Sequence, residues 1–330
     1  MYSVVELFPL LVPDFAKHMR TEIPAAPPFG QFQVRLAKLT ACLNRATLPE
    51  SVAVKSGEKI AHYVLGIDFG TLSGRALLVN TRTGEEVAWA DHNYKSAVIE
   101  ESLPGSKNRL KPLTALQDPA DYIEVLHKAV PQVMRRAKAK PEQVLGIGVD
   151  FTSCTMLPTL ADGTPLCSLK KWRNNSHAWV KLWKHHAAQP EANRINKVGS
   201  QRKEDFITAY GGKYSSEWFF AKILETVREA PGVYDAAERF IEAGDWLVWQ
   251  LTGIEKRSLS AAGFKAMRVN RAKRGGWTYP GKVFFKTLNA KLTNVVANKL
   301  ESEIIALGSK AGELTHTMAK AMGLRAGTPV

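Results

Sequence analysis

The sequence predicts an α/β protein, a mixed sheet laid down early in the chain and followed by a helix-rich insertion. Three observations predict it. Two apolar runs, Val64–Ile67 and Ala76–Val79, are separated only by a polar loop with glycines, which reads as a hairpin. A third strand and an amphipathic helical stretch then lead to another apolar run, Val144–Asp150. Past that run, helical spacing dominates.

The organised part of the chain starts at Tyr63. Residues 1–60 read differently: they carry Pro13, Pro24, Pro27 and Pro28, a short apolar patch at Val4–Val12, and one amphipathic stretch near Phe32–Ala46. They lack a basic n-region and a convincing cleavage site, so they are not read as a signal peptide. The excess of Lys and Arg over acids in 14–46 leaves an organelle-targeting reading beside the one adopted, a poorly ordered N-terminal extension.

In the hairpin, Asp68 closes the first strand, and Gly70, Thr71, Ser73, Gly74 and Arg75 form the loop. Such a loop offers a phosphate what it needs: close backbone N–H groups, two hydroxyls and a cation. Asp68 could hold a hydrated Mg²⁺ beside those phosphates. The loop is not a Walker A loop, because it has no Gly-Lys-Ser/Thr and returns as a strand instead of opening a helix. The rival reading is an ordinary tight turn with a solvated aspartate.

Thr83-Gly84 turns the chain into a strand over Glu86–Tyr94, and a polar loop runs through Pro104, Gly105 and Pro112. Asp118 caps the next helix, with Pro119 at its first position. Tyr122, Ile123, Leu126, Val130, Val133 and Met134 form its apolar face, and Pro131 is expected to kink it. Val144–Asp150 reads as a buried central strand, and Asp162-Gly163 as a second hairpin turn. Helices are expected from Trp179 through Ala188, from Ser216 to Glu229, over Trp246–Leu251 with Asp245 as cap and Gly253 as stop, and near Thr315–Met322.

Composition bounds the function. At 330 residues and 45% hydrophobic, the chain holds about two domains and a proper core. The net charge of +14 invites a nucleic-acid reading. The basic residues are scattered, apart from the loose group Lys256, Arg257, Lys265, Arg268, Arg271, Lys273 and Arg274, and no nucleic-acid motif accompanies them. No nucleic-acid partner is therefore expected. Cys42, Cys154 and Cys167 make neither a disulfide framework nor a metal site. No apolar run reaches membrane-spanning length, so no membrane partner is expected and a reducing cytoplasm is the simplest location.

Taken together, these segments resemble the FGGY carbohydrate kinases, and within that family the branch acting on L-ribulose. Asp68-Phe-Gly-Thr-Leu-Ser-Gly-Arg75 is similar to the family's first phosphate motif, and Asp150-Phe-Thr-Ser-Cys-Thr-Met-Leu-Pro158 to its sugar-pocket strand. His177–His186, Gly211–Trp218 and Glu242–Gly253 add agreement, in order, over roughly 63–330. The resemblance implies one lobe of the actin-like ATPase (ribonuclease H-like) fold, the family's N-terminal, sugar-binding domain. It also implies ATP-dependent phosphorylation of L-ribulose to L-ribulose 5-phosphate in L-arabinose catabolism, with ATP and Mg²⁺ as cofactors. By the same resemblance, Asp68, Gly70, Thr71, Ser73 and Arg75 line the nucleotide phosphates, Asp68 holds the metal, and Ser153 and Lys265 contact the sugar. Ser153 stands where the family usually has alanine. A homodimer is compatible with all of this.

Each assignment has a plainer rival. Asp150 reads more readily as a residue holding the turn after its strand than as a catalytic group. His185 and His186, on a helix, would point about 100° apart and could not share a metal. The tryptophans at 179, 183, 218, 246 and 249 read as core, with Trp218 able to border the sugar. In the family, Gly327-Thr-Pro-Val330 leads into a strand followed by the general-base aspartate. That base and the C-terminal ATP-binding domain are thus expected to be absent, and the isolated chain to show negligible turnover. The alternative function is a non-catalytic sugar-binding module.

Overall fold

The computed structural model describes residues 61–271 and 276–330. The expectations for residues 1–60, including the amphipathic stretch and Cys42, lie outside the described residues.

Strands β1 (Tyr63–Phe69), β2 (Ser73–Asn80) and β3 (Glu86–Asn93) form an antiparallel meander. Gly84, at φ +74°, takes the left-handed position of the β2–β3 turn. After the short strand β4 (Leu116–Gln117) comes helix α1 (Pro119–Ala137), whose cap Asp118 accepts the Ala120 N–H, as its sequence predicts. The helix continues through Pro131 and lays Tyr122, Val125, Leu126, Ala129, Val130 and Val133 against the sheet. Strand β5 (Val144–Phe151) pairs parallel with β1, giving the order β3-β2-β1-β5.

That order corrects one expectation. β5 is an edge strand of this sheet, not a central one, because its outer side is met only by the Ile147 N–H donating to Pro329 O. Its apolar run is explained by Ile147, Val149 and Phe151 packing into the core under the sheet, which a short apolar run does not distinguish from a central position.

A second sheet combines β4, β6 (Met156–Thr159), β7 (Val180–Lys181) and β8 (Arg239–Glu242) in the order β4-β7-β6-β8. Here a second expectation fails. The segment Trp179–Ala188 is not helical: β7 occupies its start, and helix α2 (Gln189–Gln201) begins only afterwards. Sheet pairing of β7 with β4 and β6 overrides local helical spacing. The expected turn at Asp162-Gly163 is present, with Gly163 at φ +84° and Asp162 Oδ1 accepting the Thr164 N–H.

Helix α3 (Phe219–Glu229) lies within the 216–229 expectation, and α4 (Ala243–Thr252) stops at Gly253 in the left-handed conformation. Asp245 is not the cap of α4. Glu242 holds that position, and Asp245 sits in the first turn, where its carboxyl accepts the Ser258 N–H. Helix α5 (His316–Met322) is capped by Thr315. The apolar residues form two main cores, one under the first sheet and one among the helices. Among the described residues no helix is long and apolar enough to cross a membrane.

Two members of the loose basic group are held inside the fold. Arg257 is buried against Glu255 and the Phe240 carbonyl, and Arg271 is buried against Asp205.

Candidate functional site

The β1–β2 turn is held from several sides. The Gly70 N–H donates to Ser73 O at 2.9 Å, so that N–H is spent on closing the turn. The Tyr94 hydroxyl donates to Gly70 O at 2.9 Å and Gln117 Nε2 to Thr71 O at 2.8 Å. Trp183 Nε1 donates to Thr71 Oγ1 at 3.1 Å. With its carbonyls engaged, the turn is fixed before any ligand arrives, which lowers the ordering cost of binding. Gly74 has a packing reason of its own: a Cβ there would lie 2.6 Å from a Val125 methyl of α1.

Asp68 and Asp150 are register partners across β1 and β5. Burial pushes the Asp68 carboxyl up to about 6, the Asp150 charge adds to the rise, and Arg75, with Nη1 3.4 Å away, opposes it. Burial likewise raises Asp150, whose Oδ1 accepts the Phe151 N–H, consistent with a turn-holding part. Two half-buried carboxylates at adjoining strand ends suit a divalent cation, which would offset the desolvation that raises both. Among the described residues no group of three or more His, Cys, Asp or Glu could hold a metal. The donor set therefore fits Mg²⁺ held by one or two carboxylates with water and phosphate oxygens, and not a dedicated protein cage.

The turn after β5 adjoins the hairpin, because the Thr152 N–H donates to Phe69 O at 3.1 Å. In that turn Ser153 is exposed, while Cys154 is buried at φ +69°. The strained Cys154 is held by Lys222 of α3, whose ammonium donates to the carbonyls of Cys154 and, at 2.8 Å, Leu182. Burial pushes the Cys154 thiol up to about 12, which suits a packed and unreactive sulfur.

Lys265 lies with Nζ 4.4 Å from the Trp218 ring centre and 4.0 Å from that of Phe264. Its carbonyl accepts the Tyr214 hydroxyl at 2.7 Å, and that hydroxyl also receives the Phe220 N–H. The charges of Glu242, Lys222 and Lys265 all act on the Cys154 thiol. The fold thus brings the hairpin beside the turn that carries Ser153 through paired strand ends, and ties the Lys265 backbone to α3 through the Tyr214 hydroxyl.

Several residues escaped the sequence reading. Lys181 of β7 is 2% exposed and donates to Glu225 and, at 2.9 Å, to Thr226 Oγ1. His185 Nε2 meets the same Glu225 at 2.9 Å, so His185 is a buried packing residue, and His186 lies closer to the surface. The one available signal was Lys222, Glu225 and Thr226 standing at helical spacing inside an otherwise apolar helix. Two cavities lie elsewhere: one of about 440 Å³ lined by Leu103, Arg109 and Asn174, and one of about 80 Å³ lined by Lys111, His177, Lys181 and Glu225. Neither is lined by Asp68, Ser153 or Lys265.

A family model, the FGGY family of carbohydrate kinases, N-terminal domain, matches residues 63–330. The ribulokinase of Bacillus licheniformis is 48% identical over 259 residues, 78% of this chain and 46% of that protein. The ribulokinase of Mycolicibacterium smegmatis is 46% identical over 269 residues, 81% of this chain and 47% of that protein. The chain spans about half the length of the curated relatives it matches. A gluconate kinase structure from Lactobacillus acidophilus superposes with a TM-score of 0.60 at 15% identity, covering 82% of this chain and 47% of that one. A Plasmodium falciparum glycerol kinase structure with ADP gives 0.58 at 16% identity, again covering 82% and 47%. At these identities the two structures share the fold alone.

Proposed function

The chain belongs to the FGGY family of carbohydrate kinases, and on that premise we propose that it serves the ATP-dependent phosphorylation of L-ribulose at its terminal hydroxyl, giving L-ribulose 5-phosphate for L-arabinose catabolism. The observation that carries the reading is the 48% identity to a ribulokinase over 259 residues. The paired Asp68 and Asp150 beside the Ser153 turn support it.

In this reading Asp68 holds Mg²⁺, and Gly70, Thr71, Ser73 and Arg75 line the phosphates. Ser153 and Lys265 contact the ketose. Phosphoryl transfer asks little covalent work of a protein, so these residues act by positioning and charge neutralisation. When bound, Mg-ATP supplies the phosphoryl group, and the metal offsets its charge. No residue of this chain is given the general-base role. We place the reaction in the cytoplasm.

The test is calorimetry of the 330-residue chain with L-ribulose and, separately, with Mg-ATP, alongside an ADP-release assay. L-ribulose is expected to bind, and Lys265→Ala to weaken it by about tenfold or more, as loss of a charged hydrogen bond does. A chain that takes up no pentulose at all sinks the sugar reading. A second reading is a sugar-binding module without turnover. Sugar binding without ADP release supports the module. Turnover in the range of about 1–100 per second supports a kinase complete in itself.

A further inference from the structure

Glu242 ends β8 as a residue only 7% exposed, and its Oε1 has no hydrogen-bond partner among the described residues. Native interiors hold few such atoms, and each is costly where nothing satisfies it. Its place in the fold gives the orphan a meaning. Glu242 is the register partner of Met156, and the next residue, Ala243, donates its N–H to Thr155 O at 2.7 Å. The end of β8 therefore lies across the 152–155 turn that carries Ser153. Strand alternation puts Glu242 on the face of Phe240, which packs in the helical core with Tyr214 and Met267.

The neighbours that could have satisfied the carboxyl are committed elsewhere. Lys222 spends its ammonium on the carbonyls of Cys154 and Leu182 and makes no ion pair with Glu242. The Tyr214 hydroxyl is engaged with Lys265 O and the Phe220 N–H, and the Lys265 ammonium lies over Trp218. The Cys154 N–H is directed at the carboxyl, which leaves Oε1 still unmatched.

Resting on the sugar-kinase reading above, we propose that Glu242 is a further sugar-contacting residue, its carboxyl hydrogen-bonding a hydroxyl of the pentulose lodged beside the Ser153–Cys154 turn. A hydroxyl suits the site because it both donates and accepts, and so matches a carboxyl in either protonation state. Burial pushes this carboxyl up to about 8, with Lys222 opposing and Asp245 adding to the rise, so the neutral acid is well populated near pH 7. A site built around a hydrogen bond discriminates strongly against a ligand that cannot complete it.

The experiment is calorimetric titration of L-ribulose into the 330-residue chain and into its Glu242→Gln and Glu242→Leu variants, each checked by thermal melting. Glu242→Leu is expected to weaken binding by about tenfold or more, and Glu242→Gln, which keeps shape and hydrogen bonding, by about threefold or less. Should Glu242→Leu fail to fold, the infrared band of the protonated carboxyl is read instead. That band, assigned by its loss in Glu242→Gln, is expected to shift when L-ribulose is added. Equal affinity of parent and Leu variant, or an unmoved band in a chain that binds sugar, overturns the Glu242 assignment and leaves the kinase reading standing. A parent chain that binds no pentulose overturns the sugar reading, and this proposal with it.

Discussion

Glu225 takes the Lys181 ammonium on one side and His185 Nε2 on the other, and His177 Nδ1 stands 3.1 Å from the same ammonium. Burial, aided by the Lys181 charge, lowers His177 from 6.5 to about 3. Burial lowers His185 to about 4, against the pull of Glu225. Both imidazoles are therefore neutral in the folded chain at pH 7. The sign follows: as pH falls below 6.5 the unfolded chain takes up protons that the folded one refuses, so stability drops until about pH 4. Each ring contributes up to about 1.4 kcal/mol per pH unit in that window. The raised carboxyls of Asp68 and Glu242 act with the opposite sign over the same window, so the readout is a difference: in urea denaturation between pH 7 and pH 4, His177→Gln is expected to lose less stability on acidification than the parent. The same pH dependence in parent and variant would mean that the His177 ring charges freely in the fold.

Among the elements, α1 and the meander depend on one close approach. A Cβ at Gly74 would sit 2.6 and 2.8 Å from the two Val125 methyls, so either α1 or β2 must move to admit it. Gly74→Ala is expected to cost about 1–3 kcal/mol by overpacking. Val125→Ala in the same chain makes room, so the double variant is expected to lose less than the sum of the two single changes. Simple additivity in the denaturation midpoints would refute this account of the glycine. The hairpin, its carboxylate and the cap Asp118 were legible in the sequence because local chemistry fixes them. β7 was not, since two residues, Val180 and Lys181, become a strand only when β4 and β6 flank them. Asp245 misled for a similar reason: α4 starts earlier than its apolar run suggests, and the carboxyl turns to Ser258.

For the whole molecule, the net charge of +14 is drawn partly inward, since Arg257 and Arg271 of the group singled out by sequence are buried ion-pair partners. A ligand that binds only the folded chain stabilises all of it. L-ribulose at about ten times its dissociation constant is expected to add about 1.4 kcal/mol. For a domain of this size that is a rise of roughly 3–6 °C in melting temperature. An unchanged melting curve at saturating pentulose would count against a sugar site in this fold.

By itself the sequence determined the family, the mixed sheet and the hairpin, and it nominated Asp68, Ser153 and Lys265 as site residues, because each is written in a contiguous motif. Only the tertiary structure decided that Asp68 faces Asp150, that Lys222 holds the Cys154 turn, that Lys181 and Glu225 are buried together, and that Glu242 is left unpaired beside Ser153. Those partners lie tens of residues apart in the chain. Burial, which sets the electrostatic character of a side chain, belongs to the packed elements around it and not to its sequence neighbours.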